Sequence, residues 1–326
     1  MIAADTHVQA ALDDLHMGRF AAARDLLART GANWPLRGQR SLLLARGDHA
    51  TTVRAWLAEE PSGDAAMLWA RVLSEKAVDA KTNRACTSGQ FDGVARLAWK
   101  ACLDAAQMNP HDPVPWICQL RLLQLFDDVM LEKWRWQPLT RLADPTMNLR
   151  GPWQFLEEAD RRAPGSREAY HRMREYFHCQ GPESAPMAFS TWLVSGRLSN
   201  PELRMMPLYA GLESYLARHR DGSPGSLTYW RGEQFRHYAR QARDNWLALV
   251  PPVHHPRLEL QDLSLLAYVL SACGEPAWAA FEAMGSRMTP SPWLQVNQCL
   301  GRSLDWQQSF QQARAAAYRN RPLPGG

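Results

Sequence analysis

The chain has 326 residues, 46% hydrophobic and 21% charged, a composition that belongs to folded globular proteins and argues against disorder over most of its length. Its formal net charge is only +4, which permits a nucleic acid or an acidic partner without demanding one. Six cysteines, at 86, 102, 118, 179, 273 and 299, form no C-x-x-C pair, so neither a zinc knuckle nor a redox dithiol is signalled.

Buried thiols in a reducing compartment are the simplest expectation for those cysteines. The start of the chain lacks a basic region followed by an apolar core, and no run of about 18 apolar residues occurs. A cytoplasmic protein without a membrane span is therefore expected, and no metal or cofactor is implied. Fourteen tryptophans are costly to leave in water, so many contacts between elements should be aromatic.

In chain order, Val8, Ala11, Leu12 and Leu15 fall at helical spacing up to Gly18. Phe20, Ala23 and Leu27 line a second helix that stops before Trp34-Pro35. Residues 37–61 read as a shorter pair broken at Gly47. Ser62 is an N-cap for a helix over 65–78, and the polar stretch 76–89 reads as a loop or frayed end. Gly93 is expected to turn the chain into a helix whose small residues Ala95, Ala98, Cys102 and Ala105 share one face. Asn109-Pro110 stops it, and Trp116 opens the next.

Residues 137–152 carry Pro138, Pro145 and Gly151-Pro152 and read as an irregular crossover. A helix follows at 153–162. Ser166 then caps another, with Tyr170, Met173 and Phe177 on one side, and its paired helix is expected at 185–198. A helix at 203–218 precedes the linker-like stretch 221–226. Residues 229–249 are expected to form one amphipathic helix with the stripe Phe235, Tyr238, Ala239, Ala242 and Trp246. Leu263, Leu266, Ala267 and Leu270, then Ala279 and Ala283, make a further pair before Pro290. A last helix at 304–318 runs into a basic Pro-Gly tail. No alternating apolar/polar run reads as a strand, so the fold class is all-α.

Glycine, small residues on one face, then proline and an aromatic at these offsets resemble a tetratricopeptide repeat, best at 4–36, 92–125, 164–198 and 260–290. The spacing between the punctuating prolines is not the repeat's regular 34 or so residues, and His7 stands where an aromatic is usual. The segments SREAYHRM (166–173) and NPHDPVPW (109–116) also resemble uncharacterised bacterial members of that superfamily. The resemblance implies a TPR-like α-solenoid of antiparallel helix pairs. It would comprise repeats over 1–220, further repeats of the same solenoid over 227–320, and a flexible tail at 321–326. It also implies a concave face that binds a protein or peptide, in a scaffold, regulator or immunity-type role.

Two clusters are candidates for binding. Arg236, Arg240 and Arg243 share a helix face, with Arg231, His237 and Tyr229 nearby. Together they would grip an acidic peptide or phosphates, or else form the solvated face opposite an apolar stripe. Trp134-Arg135-Trp136 would stack on bases or cations, or else cover the core as a crossover loop. His254-His255 lack nearby residues to complete a metal site. No phosphate-loop, dinucleotide, nucleophile-elbow or H-E-x-x-H motif is present, which favours a non-enzymatic protein over an enzyme using a pocket between helices.

Overall fold

The computed structural model describes residues 6–83, 86–133, 137–196, 198–220, 222–302 and 305–321, with the side chains of 128, 129, 133, 256 and 257 left aside. Among the described residues there are seventeen α-helices and one small two-stranded sheet, so the fold is all-α. The chain forms two compact units, one over residues 4–185 and one from residue 186 onward. No helix of the described residues is long and apolar enough to cross a membrane.

The N-terminal unit carries α1 (Thr6–His16), α2 (Ala21–Thr30), α3 (Trp34–Ala45), α4 (Ala50–Glu59), α5 (Gly63–Thr82), α6 (Ser88–Met108), α7 (Val114–Leu123), α8 (Asp128–Lys133), α9 (Trp153–Arg162) and α10 (Arg167–Gln180). Helix α1 touches α3, α3 touches α5, α5 touches α7, and α7 touches α10. Helices α2, α4, α6 and α9 pack beside that row. The stripe of small residues on α6 lets two long helices approach closely: Ala95, Ala98, Cys102 and Ala105 are fully buried against its neighbours.

Two expectations need correction here. Residues 76–89 are not mainly a loop, because α5 runs on to Thr82 and a capping box then starts α6 at Ser88. The Thr87 hydroxyl accepts from the Gln90 amide, and the Gln90 side chain accepts from the Thr87 amide. Gly93 therefore lies inside α6 rather than at its entry. Within 137–152, β1 (Thr140–Arg141) and β2 (Arg150–Gly151) pair antiparallel, Thr140 opposite Gly151, where only irregular chain is expected. A two-residue ladder is too short to leave an alternating pattern in the sequence.

The C-terminal unit carries α11 (Ala185–Ser195, entering from the last residue of the first unit), α12 (Met206–Arg218), α13 (Glu233–Asn245), α14 (Leu260–Cys273), α15 (Trp278–Met284), α16 (Trp293–Cys299) and α17 (Trp306–Arg319). Its core is threaded by rings. Tyr215 lies 5.4 Å from Trp230, Trp230 5.6 Å from Tyr268, Tyr268 5.0 Å from Trp293, and Trp293 5.4 Å from Phe310, centroid to centroid. The stretch 222–226 lies inside this unit, and the Gly225 amide donates to the Cys299 carbonyl. The single helix expected at 229–249 is three pieces: a 3-10 turn at Leu227–Tyr229, α13, and a second 3-10 turn at Leu247–Leu249. Gly232 and Trp246 leave helical geometry at the two ends of α13.

Candidate functional site

The arginine face of α13 forms as the spacing requires, and its partner is built by the next helix. Helix α14 ends at Gly274, whose φ of 73° is left-handed backbone that glycine adopts without penalty. The reversal brings Glu275 back toward α13. Its carboxylate lies 2.7 Å from Arg240 Nη2, 3.5 Å from Arg243 Nη1 and 3.6 Å from Arg236 Nε. Arg236 also pairs with Glu233, and Arg243 with Asp244 at 2.7 Å. The hydrogen bond from Arg240, with the charges of the other two arginines, holds Glu275 below the usual carboxylate range.

Three arginines thus face three carboxylates, and an acidic ligand would have to displace Glu275. The other expected members do not join them. Arg231 precedes the helix and is exposed, and His237 is exposed beside the Tyr238 ring. Tyr229 is a packing residue: its hydroxyl donates to the Gly211 carbonyl at 3.0 Å, and its ring lies against Tyr215, Trp230 and Phe235. Trp134, Arg135 and Trp136 lie outside the described residues. His255 places a ring nitrogen 3.0 Å from the Val250 carbonyl.

A second charged cluster, which the sequence does not single out, lies in the N-terminal unit. Helix α10 presents Glu168, Arg172 and Glu175 at i, i+4 and i+7, α5 presents Arg71 and Ser74, and α7 presents Cys118 and Arg121, with Gln124 capping its end. Arg71 bridges Glu168 and the Gly38 carbonyl. Glu175 accepts from Arg172 at 2.8 Å and lies 3.4 Å from Arg121, while the Gln124 amide donates to the Arg172 carbonyl. Burial alone would raise Glu175, but the positive charges of Arg172, Arg174 and Arg121 outweigh it and hold it low. Burial pushes Arg121 the other way, downward, with the charge of Arg172 adding to it.

This cluster surrounds a cavity of about 10 Å³ bordered by Arg71, Ser74, Cys118, Glu168 and Arg172, room for one water molecule. Beside it Arg37 of α3, with a side chain 3% exposed, reaches Asp64 at 2.6 Å and Asp112 at 2.7 Å. Asp112 in turn accepts from the Val114 amide at the start of α7. The charges tie α3, α5, α7 and α10 together, and the cavity among them has room for no more than a water-sized molecule.

A feature with room for a ligand lies on the other side of α5. An apolar groove of about 560 Å³ lies between α4 and α6. Ala66 and Trp69 form its floor, Leu57, Leu97 and Met108 its walls, and Lys100 and Asp104, 2.6 Å apart, its rim. Leu97 and Met108 are 49% and 46% exposed. Its sequence signal is faint: Leu97, Ala101, Asp104 and Met108 share a helix face offset from the alanine stripe of α6. Compared with known proteins, the chain matches no family model, no curated protein and no solved structure.

Proposed function

We propose that the chain is a non-enzymatic, TPR-like helical-repeat protein that binds a protein or peptide partner. The observation that carries this reading is the α4–α6 groove, whose volume lies within the range of ligand sites and whose lining is mostly apolar. Its occupant is a partner helix whose apolar residues at i, i+3 and i+7 fill the space between Leu57 and Leu97, with polar groups meeting Lys100 and Asp104. The chain of contacts from α1 through α3, α5 and α7 to α10, with a second helix beside each step, supports stacked helix pairs as the scaffold.

The polar cluster supports the non-enzymatic side of the reading, since about 10 Å³ holds one water while ligand pockets run to roughly 300–1,000 Å³. The α13 arginines give nucleic-acid binding little support, because each already faces a carboxylate.

The test is a stepwise salt-eluted pull-down from native extract, using wild-type protein and a Leu97→Asp variant matched in helicity. A stoichiometric protein partner, retained roughly tenfold less by the variant, is the expected result. A partner retained equally by both would remove the groove from the reading. Wild-type protein that retains only a small molecule would replace binding with enzymatic function.

A further inference from the structure

The β1–β2 ladder sets two arginines side by side, since Arg141 is directly opposite Arg150 and Thr140 directly opposite Gly151. Successive residues of a strand point to opposite faces, so the two pairs face opposite ways. Gly151 settles which is which. It is buried against α10, where an added Cβ would meet the Phe177 ring at 3.0 Å and the Met173 methyl at 3.1 Å, so the ladder sits this close only because glycine stands there. Arg141 and Arg150 therefore stand on the outer face, and both are exposed. The loop between them is anchored. Met147 is buried, the Trp153 indole donates to the Leu149 carbonyl at 2.9 Å, and the Asp144 carboxylate accepts from the Thr146 amide at 2.8 Å. Each guanidinium is tethered at one corner, Arg141 through Nη1 to the Asn148 side-chain oxygen and Arg150 through Nε to the Leu139 carbonyl.

Arg37, Arg71 and the α13 arginines each meet a carboxylate. Among the described residues, neither Arg141 nor Arg150 does. Like charges directly opposite each other on a ladder destabilise it, and their Cβ atoms stand only about 4.5–5.5 Å apart. An anion held by both side chains would offset that repulsion. We propose that Arg141 and Arg150 form a clamp for a dianionic phosphoryl group, carried by a phosphate monoester or by inorganic phosphate. Two guanidiniums supply two positive charges and two forks of N–H donors, which match the charge and the several oxygens of one phosphoryl group. A carboxylate would neutralise only one of the two. Because the pair faces solvent, the ester arm of a monoester extends away from the protein.

The clamp is separate from the α4–α6 groove and does not depend on it. The full-length protein in low-salt buffer is titrated calorimetrically with inorganic phosphate and, separately, with O-phosphoserine, against sodium chloride of equal ionic strength and unmodified serine. One phosphate site per chain is expected, with no heat from chloride or serine beyond dilution. Arg150→Gln should weaken phosphate binding about tenfold, and adding Arg141→Gln should abolish it. Arg150→Lys, which keeps the charge without the fork, should fall between wild type and Arg150→Gln. Tighter binding of phosphoserine assigns the clamp to esterified phosphate, and tighter binding of inorganic phosphate to the free ion. Thermal melts check that the double variant is folded: phosphate should raise the wild-type midpoint above that in chloride and leave the double variant's unchanged. Phosphate binding that survives undiminished in the double variant would overturn the proposal. So would wild-type protein that binds neither phosphate more than chloride.

Discussion

Arg37 is the residue whose removal should cost most. Its guanidinium joins three helix starts through Asp64 and Asp112, and the Asp112 side chain is fully buried. An arginine fork suits this position because its fixed donors reach two carboxylates at once. Arg37→Met leaves Asp112 charged and without its cation, so destabilisation by about 3–5 kcal/mol is expected. Adding Asp112→Asn should recover part of the loss, since the amide oxygen can still cap α7. Denaturant midpoints of the two variants check both statements. His49 poses the opposite problem: it is 2% exposed, and neither ring nitrogen has a hydrogen-bond partner. Burial lowers its pKa, the His16 ring 4.1 Å away lowers it further, and Asp48 opposes them. Because the folded value lies below the unfolded one near 6.5, the neutral ring's contribution is complete above that pH. It is lost as pH falls from there through the folded value. Thermal melts between pH 7.5 and 5 should therefore decline less steeply for His49→Leu than for wild type.

At the scale of elements, α6 shows what spacing in a sequence can and cannot convey. The Ala95–Ala98–Cys102–Ala105 stripe is legible because a helix places every third and fourth side chain on one face, and all four are buried. Ala98→Leu, like Ala23→Leu on α2, should overpack its contact and destabilise by about 1–3 kcal/mol, measured as the loss of denaturation free energy. Unchanged stability in both would show that these contacts can relax. The stop at Asn109-Pro110 and the α13 stripe Phe235, Tyr238, Ala239, Ala242 and Trp246 are legible for the same local reasons. The α6 start is less so, since Gly93 is conspicuous while the Thr87–Gln90 capping box competes for the boundary and prevails.

Over the whole molecule, the charged side chains are where sequence reading falls short. Arg236, Arg240 and Arg243 can be placed on one face from spacing alone. That Glu275 meets all three depends on a left-handed glycine and on how the chain returns after it. The partners of Arg37 and Arg71 lie as many as 75 and 97 residues away along the chain, and no periodicity links such positions. The groove is a gap between α4 and α6, and a gap has no residue of its own. The long separations also bear on biosynthesis. Arg71 leaves the ribosome 97 residues ahead of its carboxylate partner Glu168, an interval of roughly 5–20 s at ordinary elongation rates. Throughout that interval the nascent N-terminal half carries an arginine that can reach the Gly38 carbonyl but meets its carboxylate only once α10 exists. Its final closure therefore waits on translation rather than on helix formation.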